Sequence, residues 1–466
     1  MTLRQICVLG WCALLMIKSV QADVILHAFN WHYDEVTEQA STIAAMGYKH
    51  VLIVPPVKSA RFGCAWWQRY QPQDYRVIDH CKGNKQSLVR MINTLNQYDI
   101  SVYADVILNH MANERGNSQS FPGSDALASY QSNAAYWQQQ QLFGNLENGL
   151  LSANDFHQPG QCIQNYNDVG DVQWNRLCGG NGDPGLPDLT DNSWVIWQQR
   201  QYLLALKGLG IKGFRLDAAK HMSLAHIQQV FDAEVMADTH VFGEVITNGG
   251  AGEGEYERFL APYLSATGHA AYDFPLFTQI RQAFSFSGSL QTLINPSAYG
   301  QALAKSKAIT FVLTHDIPNN DGFRFYLLDA VDERLAYAYI LGRDGGVPLV
   351  YSDHGESGAR DNGRWYDDFK ASDLQVMIGF HNAMQGQTDE VIAASDCALL
   401  LRRGEEGLLG INKCGHTVAF NVSTHNRFKW FRDYVDLKTG ATDFRIESGS
   451  QDFYIAPRSW QMWQVR

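Results

Sequence analysis

What most constrains this chain is an alternation. From residue 24 onward, short apolar runs that read as strands take turns with segments of helical period. Strand candidates lie at 24–31, 50–55, 101–108, 213–219, 240–246, 270–274, 308–314 and 347–352. Helix candidates lie at 36–46, 85–98, 193–206, 224–234, 275–284, 332–341 and 372–384, with a looser helical part after the fifth strand. In the second of these, Leu88, Met91, Ile92 and Leu95 share one face. Eight strand–helix units predict an α/β fold, a (β/α)8 TIM barrel with its active site at the C-terminal strand ends. A doubly wound open sheet is the rival, but it does not naturally need eight units. No Gly-x-Gly-x-x-Gly follows the first strand, so a dinucleotide fold has no support.

Two stretches break the alternation. Between the third strand and the helix at 193, regularity lapses for about 80 residues dense in Gly, Asn, Asp and Gln; such long irregular insertions are usually functional. Past residue 387, short alternating runs at 398–402, 408–412 and 417–421 are bounded by Gly, Asn and Asp, as in a small antiparallel β domain. The expected division is a signal peptide at 1–22, a barrel at 23–110 and 190–386, an insertion domain at 111–189 and a C-terminal β-sandwich at 387–466.

The signal is read from Arg4, the apolar run 6–17 and the small residues of Val20-Gln21-Ala22 ahead of a cut before Asp23. The apolar run is shorter than the roughly 18 residues a membrane span needs. Export suits the cysteines. Cys7 and Cys12 would leave with the signal, and Cys64, Cys81, Cys162, Cys178, Cys397 and Cys414 remain as three local couples. Three disulfides in an oxidising compartment is the reading, with sequential pairing favoured and free buried thiols the alternative. The formal charge of −11 argues against a nucleic-acid partner. The 12 Trp and 21 Tyr suit a neutral ligand that stacks on flat rings, though most of these rings belong in the core.

The chemistry concentrates at strand ends. In GFRLDAAKH at 213–221, Arg215 and Asp217 point the same way along a strand, and burying both is costly unless they pair or do chemistry. Spacing alone leaves a structural ion pair equally open. Strand three ends in DVILNH at 105–110, where Asp105, short of the mouth, suits a structural tie to Arg215. Strand five ends in FGEV at 242–245 and strand seven in FVLTHD at 311–316; LPDL at 186–189 lies just before the third helix.

Taken together, these motifs resemble the alpha-amylase family, family 13 of the glycoside hydrolases, over nearly all of the chain after the signal. The resemblance implies Asp217 as nucleophile, Glu244 as general acid/base and Asp316 as the transition-state-stabilising carboxylate. It implies that Arg215, His110 and His315 position the sugar and the nucleophile. A retaining glycosidase needs two such carboxyls about 5–5.5 Å apart. Phe242 and Val245 offer Glu244 a partly apolar setting that would raise its pKa. Trp67 and Tyr70 of WWQRYQP at 66–72 match a sugar-stacking platform, while Trp66 is expected to be buried. Lys220 and His221 resemble the leaving-side contacts of α-1,4-specific members. A structural Ca2+ is implied, on Asn109 and Asp188 with the carbonyls of His221 and Arg176; the alternative is that Asn109 and Asp188 only cap turns. Chloride activation is not expected, because Thr314 stands at the family's chloride-binding Asn position and Leu349 at its basic one. The implied protein is a secreted, monomeric, endo-acting alpha-amylase for starch, glycogen and maltooligosaccharides, without nucleic-acid or membrane partners. An exo-acting or transglycosylating enzyme and an inactive carbohydrate-binding barrel are the rivals.

Overall fold

The computed structural model describes residues 23–466 apart from 60–62, 115–119, 181, 426–427 and 429–430. The signal reading at 1–22 therefore lies outside the described residues. Eight parallel strands close a barrel: β1 (Ile25–Phe29), β2 (His50–Ile53), β3 (Ser101–Ile107), β4 (Gly213–Asp217), β5 (His240–Gly243), β6 (Ala270–Tyr272), β7 (Ala308–Phe311) and β8 (Val347–Asp353). Each strand pairs with its sequence neighbours, and β8 closes on β1 with Ile25 opposite Leu349 and Phe29 opposite Asp353. Closure removes every sheet edge and disposes of the open-sheet rival.

Helices follow the strands: α1 (Tyr33–Met46), α2 (Lys85–Asn96), α3 (Ser193–Leu209), α4 (Leu224–Val230), α5 (Ala261–Thr267), α6 (Phe274–Phe284), α7 (Ala330–Gly342) and α8 (Ser372–Ala383). Their apolar faces and the outward strand residues form the main core, in which Val51, Val102, Phe214 and Val350 meet Ile43, Leu88, Leu203 and Ile378. A second cluster fills the barrel interior with Ile25, Phe29, Leu52, Phe242, Phe311 and Leu349. Period-2 alternation therefore sorts each strand between two cores. The helix expected at 224–234 is two helices: Asp232 accepts from the backbone of Glu234 and Val235, and a new turn begins at Ala233.

The stretch expected to be irregular is more ordered than its composition suggests. It holds helices Ser124–Ser132, Ala134–Gln140 and Val169–Trp174, each burying only one or two side chains. With so little apolar periodicity they leave no clear helical signature in the sequence. The insertion returns to the barrel where Met111 N donates to Pro187 O and Leu189 N to Asn109 O.

The C-terminal region is antiparallel: β9 (Asp389–Ala394), β10 (Ala398–Arg403), β11 (Gly407–Asn412), β12 (Val418–Ser423), β13 (Asp433–Asp436), β14 (Thr442–Arg445), β15 (Ser450–Ile455) and β16 (Ser459–Val465). Six of these form one sheet in the order β9-β10-β11-β16-β13-β14, and β12 pairs with β15 in a two-stranded sheet. Leu400, Leu408, Val422, Phe453 and Trp463 share one core across the two sheets. The cysteines pair sequentially, Cys64–Cys81, Cys162–Cys178 and Cys397–Cys414.

Candidate active site

The C-terminal ends of the barrel strands open into a cleft of about 1690 Å³, lined among others by Asp217, Glu244 and Asp316. Arg215 is its electrostatic hub. On β4 its side chain and that of Asp217 point inward together, and it is fully buried. One terminal nitrogen donates to Asp105 Oδ1 (2.8 Å) and Oδ2 (3.0 Å) and to Asp217 Oδ1 (2.7 Å). The other donates to Glu244 Oε1 (2.5 Å). The Tyr70 hydroxyl also donates to Asp105 Oδ2, at 2.8 Å. Asp105 thus ties down the guanidinium from below, and the nucleophile and acid/base candidates hang from its two ends.

One guanidinium faces four buried carboxyls: Asp105, Asp217, Glu244 and Asp316. Burial raises the pKa of each, partly opposed by Arg215. Asp105 is pushed to about 7, and Asp316 rises well above the ordinary range with the help of Glu244 beside it. Glu244 and Asp316 share a side-chain hydrogen bond, which two carboxyls form only when a proton lies between them. The expected raised pKa of Glu244 is present, but for a different reason. Phe242 lies in the barrel interior and Val245 in the outer core, so burial and neighbouring charge act where an apolar wall was expected.

Local backbone delivers these groups. Directly after Asp217, Ala218 adopts a left-handed φ of 49°, unusual for a residue with a Cβ, and its N–H donates to Glu244 Oε2 at 3.3 Å. Gly243, just before Glu244, is forced by packing: a Cβ there would sit 2.4 Å from the Tyr263 hydroxyl.

The other expected residues separate by role. His110 bonds to the Tyr70 carbonyl through Nε2 (2.9 Å), so that nitrogen carries the hydrogen. His315 stacks between Phe29 and Tyr70 at 4.6 and 4.9 Å, 3.5 Å from Asp316 through Nε2. Trp67 is 48% exposed beside the cleft. Tyr70 is buried, its face against His315, and forms cleft floor beneath any platform. Trp66 was expected to be buried; it is half-buried and also lines the cleft, its N–H held by Glu356 at 3.0 Å. Lys220 donates to Ile246 O (3.0 Å) and Glu255 Oε1 (2.8 Å), and His221 Nδ1 meets Val172 O at 3.3 Å.

The residues implied for calcium cluster where the insertion meets the barrel. Asn109 and His221 line one small recess together with His157 and Trp174. Asp188 is buried, its Oδ2 2.5 Å from His157 Nδ1, and burial raises its pKa to about 6. A buried carboxylate, a buried amide and nearby carbonyls form an oxygen-rich set that fits a hard cation. The Arg176 carbonyl accepts from Ile163 N at 3.1 Å, inside the insertion's own pairing. No cluster of three or more His, Cys, Asp or Glu occurs among the described residues.

Some neighbours of the site were missed in the sequence. His27 sits in the barrel interior, 5.7 Å from the His315 ring, with its pKa lowered to about 3 by burial. Its signal was the inward alternation Ile25-His27-Phe29. Tyr166, Asp183 and Glu255 also line the cleft, but they come from irregular segments with no period to flag them.

Comparison with known proteins bears on this geometry. The family model "Alpha amylase, catalytic domain" matches residues 33–249. An alpha-amylase of Aeromonas hydrophila is 52% identical over 444 residues, covering 95% of each chain. Among solved structures, a mutant of alpha-amylase I from Eisenia fetida, in complex with maltohexaose, superposes with a TM-score of 0.75 at 22% identity, covering 95% of this chain and 97% of that one. A gamma-CGTase from alkalophilic Bacillus clarkii superposes with a TM-score of 0.72 at 18% identity, over 95% of this chain and 70% of the other. At these identities the two structures speak to fold alone.

Proposed function

The chain belongs to the alpha-amylase family of glycoside hydrolases, and on that footing we propose that it cuts internal α-1,4-glucosidic bonds of starch and glycogen with retention of configuration. The observation that carries this reading is the shared guanidinium: Asp217 and Glu244 are held at 2.7 and 2.5 Å by the two terminal nitrogens of Arg215. That grip brings the two carboxyls close together, as a double displacement requires.

In the first step Asp217 attacks the anomeric carbon while Glu244 protonates the leaving glycosidic oxygen, leaving a glycosyl-Asp217 ester. In the second, Glu244 takes a proton from water, the water oxygen attacks the same carbon, and Asp217 is released. Asp316 stabilises the positive charge that develops on the sugar, and its hydrogen bond with Glu244 keeps a proton at the acid/base. His110 and His315 hold the sugar at the scissile end, Trp67 stacks on a pyranose face, and Lys220 and His221 meet the leaving side. Tyr70 supports from the floor. Asn109, Asp188 and the carbonyls of His221 and Arg176 would hold Ca2+, which would fasten the insertion to the barrel mouth. Chloride activation is not part of this reading: Thr314 is uncharged, and β8 carries no Lys or Arg from Val347 to Asp353.

Three disulfides fit a secreted protein, and no helix among the described residues is long and apolar enough to cross a membrane. We take the enzyme to act as an extracellular monomer. The test is product configuration and size from soluble starch, for wild type and Asp217→Asn side by side. Mixed short α-configured products, lost in the variant, are expected. A single short product from the start would replace endo action by exo action, and β-configured products would refute the double displacement.

A further inference from the structure

α3 turns Val195, Ile196, Gln199 and Tyr202 into the core, while Trp194 and Trp197, three residues apart, face solvent. They are 47% and 43% exposed, matching the 48% of Trp67 at the cleft. The two indoles are nearly parallel, 18° between planes with centroids 5.5 Å apart. Trp194 Nε1 donates to Leu150 O at 2.7 Å, which satisfies the polar edge of the ring and fixes its orientation. Neither ring lines the cleft.

From this we propose that Trp194 and Trp197 form a platform that binds an α-glucan chain outside the catalytic cleft; the proposal rests on the reading that α-glucan is the substrate. Two flat, ordered rings offer their faces to the C–H surfaces of successive pyranoses, and little side-chain freedom is lost on binding. Charge favours a neutral ligand. The nearest cation on the helix, Arg200, is met by Asp232 and Glu234, so the patch offers no strong anion anchor. A polymer engaged in the cleft has further segments able to reach a second site, and two weak contacts on one chain reinforce each other.

The experiment compares wild type, Trp194→Ala/Trp197→Ala and Trp194→Phe/Trp197→Phe for adsorption to granular starch and for kcat/KM on maltoheptaose. The Ala pair should adsorb about tenfold more weakly with kcat/KM within about twofold of wild type, and the Phe pair, which keeps flat rings, should recover most of the adsorption. Equal adsorption by wild type and the Ala pair, or none by wild type, overturns the platform. So does a loss of self-association in the Ala pair with adsorption unchanged, which would make the patch a contact between copies. Failure of wild type to hydrolyse maltoheptaose would instead strike the proposed activity.

Discussion

Replacing Arg215 by Lys keeps the charge and removes the fork. The guanidinium makes four contacts at 2.5–3.0 Å to three carboxyls through two separate nitrogens. A single ammonium on a shorter reach can meet Asp105 and Asp217, which share one nitrogen now, but it gives up Glu244. Losing one buried charge-assisted bond costs roughly 1.5–3 kcal/mol, which is about ten- to hundredfold in kcat/KM if the contact persists at the transition state. The pH profile separates this from a merely loosened barrel. Burial raises the Glu244 pKa and Arg215 is the main influence lowering it. With the cation withdrawn, that pKa rises further, and the alkaline limb of kcat/KM, which reports loss of the acid's proton, moves to higher pH. The assay is initial rates on maltoheptaose across pH, with a melting curve for each protein. Activity within about twofold of wild type, or an alkaline limb displaced to lower pH, would refute the account of Arg215 as the shared anchor.

Two further outcomes are expected. Glu333 on α7 is buried between Arg364 (2.7 Å) and Trp365 Nε1 (3.0 Å), and burial pushes its pKa from 4.5 to about 7. The folded state therefore holds a proton that the unfolded chain has lost. That contribution is fully present below about pH 4.5 and is lost as pH rises through about 7, so the stability of wild type relative to Glu333→Gln should fall by up to about 3 kcal/mol across this window in urea melts; a difference that stays flat or grows with pH would sink the idea. Removing divalent cations with a chelator should lower both melting temperature and activity, and added Ca2+ should restore them while Asp188→Ala should not respond; a chelator-insensitive wild type would remove the proposed calcium role.

The barrel was legible because it is periodic. Each strand alternates between an inner and an outer core, and each helix carries an apolar face, so the order of elements follows from spacing alone. The catalytic cluster was legible because its members end strands, and strand ends are easy to find once the strands are. What resisted reading lacks either property. The short insertion helices bury one or two side chains apiece. Tyr166, Asp183 and Glu255 reach the cleft from loops whose path depends on tertiary contacts. The break between α4 and the following turn depends on one capping Asp at 232, inside a run that otherwise looks continuously helical.

The same periodicity explains where the charge can sit. Inward positions of a closed barrel are filled by side chains, so a polar residue placed low in the barrel, as Asp105 is, finds neither water nor room. It persists there because Arg215 and Tyr70 meet it, and because Arg215 has other carboxyls to hold at the mouth. Ion pairing and catalysis, which spacing in the sequence left as alternatives, are then one arrangement. The buried pair is the base, and the groups proposed for chemistry are what it presents to the cleft. The surplus of carboxyls over cations explains why protons stay in the site, and a resident proton is what a general acid needs before substrate arrives.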